Sequence, residues 1–116
     1  MTQTPVKKTP GRKADPLTAV LAEIRAGARA TPDLPAHLVG GKYPERGVDN
    51  YRQRGADWAE INRARESRGR LGVDGLAVQV AFAAFGGRTP AEVREGLVQL
   101  ASLAVAAIEQ IDRGEQ

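Results

Sequence analysis

The sequence predicts an all-α fold in which short helices lead into a C-terminal antiparallel helical hairpin, and the hairpin completes its core in an oligomeric helix bundle. Three observations carry this expectation. Apolar residues recur at intervals of three and four. Proline-led helix starts stand at Asp15-Pro16 and Thr89-Pro90. The last two helical stretches are apolar around too much of their circumference for helices with one face in water. At 116 residues the chain has room for one core.

Residues 1–14 combine two prolines, a glycine and four basic side chains with little that is apolar beyond Val6. This composition predicts a flexible basic arm, leaving 15–114 as a single helical domain. Pro10-Gly11-Arg12-Lys13 is similar to arms that enter the minor groove of DNA, and it equally suits a solvated tail. Asp15 can accept the orphan amide hydrogens of a first helix over 16–29, where Leu17, Val20, Leu21 and Ile24 share a face. Residues 31–49 contain Pro32, Pro35, Pro44, Gly40, Gly41 and Gly47, a density that predicts a long loop able to cover a site.

Asp49 or Asn50 is the expected cap of a second helix running to about Ser67, with Tyr51, Trp58 and Ile61 as its larger apolar residues. Asp74 is the expected cap of a third, ending at Phe85 before Gly86-Gly87. The fourth starts at Thr89-Pro90-Ala91-Glu92, a capping box, and runs to Arg113 with Gly114 as its stop. Val93, Leu97, Leu100, Ala101, Ala104, Ile108 and Ile111 form its stripe, while Val98, Val105 and Ala106 lie off it.

The chain has no cysteine and one histidine, His37, which excludes a disulfide scaffold, a Cys-based zinc site and a His cluster. No apolar stretch approaches the roughly 18 residues of a membrane span, and a cytoplasmic location is expected. Net charge by segment is +3 over 1–15, zero over 16–39, +3 over 40–70 and −3 over 71–116. Such asymmetry serves either an anion-binding surface or attraction between oppositely charged parts of the assembly.

The second helix is the candidate ligand face. Arg52, Arg54, Arg63 and Arg65 surround Trp58, and an arginine stacked on an aromatic ring can hold a phosphate or a base. The same pattern also describes a solvated arginine face whose tryptophan packs inward. Gln79 and Gln99 interrupt the apolar helices at nearly equal distances from the Gly86-Gly87 turn. They could bond each other and fix the hairpin register, or mark a polar site within the bundle. Glu92 with Glu95, and Glu109 with Asp112, repeat an i, i+3 spacing that suits the helix dipole and surface charge better than a metal site.

The stretch Gln79–Arg113 resembles the C-terminal hairpin of the MazG-like all-α nucleotide pyrophosphohydrolases of actinobacteria and their phages. The likeness lies in Thr89-Pro90, in Arg94-Glu95-Gly96-Leu97-Val98-Gln99, and in the run from Leu103 to Arg113 that ends Ala-Ile-Glu-Gln-Ile-Asp-Arg. Upstream, Arg52-Gln53 with Trp58, Glu60 and Asn62 is similar to the family's RQxxxWGEQN segment, with one residue more between Gln53 and Trp58. About half the chain is involved.

This resemblance implies a Mg²⁺ site built from inward-facing glutamates, but Gln79, Val80 and Ala83 stand where three of them belong, and Gly96 where another belongs beside Glu95. The implied reading is a bundle that has lost its chemistry: a non-catalytic homo-oligomer without a cofactor. It would bind a nucleotide-like or phosphorylated ligand or a partner such as a host protein, as a phage-encoded regulator or inhibitor would. Arg52, Arg54, Trp58, Arg63, Arg65, Gln79 and Gln99 are its candidate ligand residues. Two alternatives stand beside it: a Mg²⁺-dependent pyrophosphohydrolase using Glu60, Glu92, Glu95 or Asp112, and a nucleic-acid-binding module built from the arm and the second helix.

Overall fold

The computed structural model describes residues 15–114, so the expected basic arm lies outside the described residues. These are all-helical: α1 Pro16–Arg29, α2 Val48–Ser67, α3 Val73–Phe85 and α4 Pro90–Asp112, with one short 3₁₀ turn at Pro44–Arg46 inside the long loop. No helix among them is long and apolar enough to cross a membrane. The chain divides into two compact units, one ending at Pro32 and the other beginning at Asp33.

The first unit contains α1. Asp15 Oδ1 accepts from the Leu17 amide at 3.4 Å, and Pro16 opens the helix. Val20 is buried, whereas Leu17, Leu21 and Ile24 on the same stripe are exposed.

In the second unit α3 packs on both α2 and α4, which do not contact each other. On the α2 side Tyr51 is buried, its ring edge-on to Phe85 at 5.4 Å and tilted against Phe82 at 6.4 Å. Arg52 Nη1 donates to the Gly86 carbonyl at 2.9 Å, satisfying a backbone acceptor at the end of α3. On the α4 side the contact is steric. A Cβ on Gly96 would stand 2.5 Å from both Cα and Cβ of the buried Ala84, so the two helices approach there through a position only glycine can occupy.

Helix ends show where the sequence reading holds and where it fails. Thr89 Oγ1 accepts from the Glu92 amide at 3.1 Å, while Glu92 Oε1 accepts from the Arg88 amide at 2.8 Å, one residue before the cap. The expected caps of α2 and α3 are corrected. Gly47, at φ +58, precedes α2 without any side-chain cap, because Asp49 lies inside the first turn and Asn50 is bonded elsewhere. Gly72 precedes α3, and the Asp74 carboxylate accepts from the neighbouring Gly75 amide at 2.8 Å.

Candidate functional site

The 3₁₀ turn carries the chain from Tyr43 to Arg46 and brings the Arg46 guanidinium back over the Tyr43 ring, 4.6 Å from its centroid. Arg54, from the second turn of α2, reaches the same ring at 5.4 Å, and the Lys42 ammonium stands 5.9 Å from it. A phenol ring attracts cations through its quadrupole, but it carries no net charge with which to neutralise three of them. Among the described residues none of the three forms an ion pair.

Asn50 organises this corner. It is buried, its Nδ2 donates to the Gly40 carbonyl at 3.0 Å, and its Oδ1 accepts from Arg54 Nε at 3.2 Å. One side chain therefore ties the glycine-rich loop to α2 and fixes the direction of the arginine fork. Beside it opens a cleft of about 440 Å³ lined by Arg46, Asp49, Asn50, Gln53, Arg54 and Asp57. Asp49, Gln53 and Asp57 follow one another at intervals of four along α2, which sets a carboxylate-bearing row beside the arginines. Asp49 also faces Arg88 at 3.8 Å across two exposed side chains.

A second polar cluster joins α2 to α3. Asn62 is buried, and its Nδ2 donates to Gln79 Oε1 at 2.7 Å and to the Gly75 carbonyl at 2.9 Å. Its Oδ1 accepts no hydrogen bond among the described residues. One turn from Asn62 on either side, the Arg65 guanidinium lies 5.5 Å from the Trp58 ring centroid.

The predicted ligand residues are thus divided. Trp58, Arg65 and Gln79 gather around Asn62, and Arg54 joins the Tyr43 corner. Arg52 is committed to the end of α3. Arg63 and Gln99 are exposed on their helices, and the expected bond between Gln79 and Gln99 gives way to the one from Asn62. The expectation failed because equal distance from a turn sets the level of two residues on a hairpin but not which way each faces. Lys42, Tyr43, Arg46 and Asn50 were missed as site residues. The available signal was the i, i+4 pair Asn50 and Arg54 beside an aromatic in the preceding loop.

Among the described residues no group of three or more His, Asp or Glu stands close enough to share a metal ion. Compared with known proteins, the chain matches no family profile, no curated protein and no solved structure.

Proposed function

We propose that this chain is a non-catalytic helical protein that associates with copies of itself and binds a nucleotide-like or phosphorylated ligand or a partner protein. In this reading α3 and α4 form an antiparallel hairpin whose outer surface is completed by a second copy, in the manner of a MazG-like bundle that no longer carries the glutamates of its metal site. The observation that carries the self-association is the uncovered apolar surface of α4. Leu97, Val98, Ile108 and Ile111 are exposed, Ile111 to 61%. An apolar groove of about 480 Å³, lined in part by Leu71, Val73, Leu76, Leu103 and Ile111, runs between the start of α3 and the end of α4. Burying such groups stabilises an assembly by about 25 cal/mol per Å² of apolar surface removed from water.

Ligand binding draws its support from the Arg65–Trp58 pair within α2 and from Arg46 and Arg54 at the Tyr43 ring, neither of which forms an ion pair among the described residues. Native mass spectrometry and sedimentation of purified protein test the assembly. A dimer or larger species is expected at micromolar concentration, and replacement of both Val98 and Ile111 by lysine is expected to yield monomers. A wild-type protein that is monomeric throughout that range overturns the assembly. Calorimetry against mononucleotides, cyclic dinucleotides and nucleoside triphosphates tests the ligand: heat from none of them removes that half of the proposal.

A further inference from the structure

The geometry points to a binding site for a small phosphate monoester beside the Tyr43 corner, in which Arg46 and Arg54 hold the phosphoryl group and Asp57 accepts hydrogen bonds from hydroxyl or amino groups of the attached molecule. This deepens the proposed ligand binding and rests on that reading.

The argument starts from charge. Three cations converge on one ring at 4.6, 5.4 and 5.9 Å, and no described carboxylate pairs with any of them. Two of the three, Arg46 and Arg54, also line one cleft, where both guanidinium groups can meet a single anion. A phosphate monoester is suited to the task. It carries close to two negative charges and three acceptor oxygens, which the forked donors of two arginines can share.

Placement is the second step. Arg54 is not a loose surface side chain, because Asn50 Oδ1 accepts from its Nε. Asn50 is itself buried and anchored to the Gly40 carbonyl, so the fork is directed before any ligand arrives. Its terminal nitrogens carry no other hydrogen bond among the described residues.

The cleft supplies the third. Its volume of about 440 Å³ suits a compact molecule, and its lining carries both signs, Arg46 and Arg54 together with Asp49 and Asp57. A purely anionic partner would meet repulsion from the carboxylates. A sugar phosphate or a nucleoside monophosphate meets cations with its phosphoryl group and carboxylates with its hydroxyl and amino donors. Asp57 has no ion-pair partner among the described residues and is the carboxylate assigned to the ligand.

Titration calorimetry with inorganic phosphate, ribose 5-phosphate, AMP, ATP and adenosine tests the assignment, with helix content followed by circular dichroism. Ribose 5-phosphate and AMP are expected to bind and adenosine is not. The double variant Arg46→Gln/Arg54→Gln should weaken both by about tenfold or more. Arg54→Lys, which keeps the charge and loses the fork, should weaken them less. Asp57→Asn should weaken ribose 5-phosphate and AMP without weakening inorganic phosphate, which loses a repelling charge. Undiminished binding of the phosphorylated compounds by the double variant in a folded protein overturns this site and leaves the broader ligand reading standing. Adenosine binding as tightly as AMP overturns the phosphoryl assignment. Equal loss of inorganic phosphate and ribose 5-phosphate in Asp57→Asn overturns the role given to Asp57. No heat from any of the phosphorylated compounds overturns both the site and the reading on which it rests.

Discussion

Helix α3 has two different neighbours, and it holds them by different means. Toward α2 the contact is chemical: Asn62 bonds Gln79 and the Gly75 carbonyl, Arg52 bonds the Gly86 carbonyl, and Tyr51 sets its ring against Phe82 and Phe85. Toward α4 it is steric, with Gly96 seated against Ala84. Hydrogen bonds and ring edges have preferred directions, so they fix how α2 lies on α3. Close contact of small residues fixes only the separation, and it leaves larger apolar side chains such as Leu97 and Val98 facing outward. The α2 side thus presents a positioned polar cleft and the α4 side an exposed apolar surface.

The largest test of this contrast is Gly96→Leu. Any Cβ at this position meets Ala84 backbone and side chain at 2.5 Å, and α3 has no flexible atom there to yield. A loss of about 3 kcal/mol is expected, read from the urea midpoint. The same geometry bears on the MazG-like resemblance. Gly96→Glu, which would restore one acidic residue of the resembled motif, should separate the helices instead of rebuilding a metal site. An unchanged midpoint in either variant would show that α4 does not rest on α3 through this residue.

On the other side, Asn62→Ala removes two hydrogen bonds and leaves Gln79 Oε1 without its donor in a partly buried position. About 2 kcal/mol should be lost. Hydrogen exchange should quicken more in α2 than in α4, because the bonds concerned join α2 to α3. Equal quickening in both helices would mean that the three helices open as one unit and that the contrast is structural but not energetic.

How much of this could be read beforehand depended on how local the determinants were. The bounds of α1 and the start of α4 were legible because their signals, Asp15-Pro16 and Thr89 with Glu92, act within four residues. The start of α2 was not. Asn50 is a good capping residue by type, but it is engaged ten residues back at the Gly40 carbonyl, a contact that exists only once the loop has folded. The same gap separates the expected site from the structural one. Arg54 was identified from its helix, whereas Tyr43 and Arg46 sat among prolines and glycines that read as irregular chain, and the 3₁₀ turn that stacks them leaves no periodic trace. Gln79 was marked as a polar residue needing a partner, but Asn62 lies seventeen positions away on another helix.

Smaller effects separate the ordered contacts from the merely close ones. Arg52→Ala removes a single charged donor from the Gly86 carbonyl and should cost about 1 kcal/mol. Thr89→Ala, which leaves the Glu92 amide without its acceptor, should cost a similar ~1 kcal/mol. The Asp49–Arg88 pair is the limiting case, since it links the start of α2 to the turn before α4 and looks in outline like a clasp across α3. Its side chains are 80% and 61% exposed and its atoms 3.8 Å apart, so water screens most of the attraction and neither side chain is otherwise fixed. Asp49→Asn should therefore shift stability by less than about 0.5 kcal/mol. A larger loss, with a thermal midpoint that falls further in low salt than in high, would show that the two sides of α3 are coupled through this pair after all.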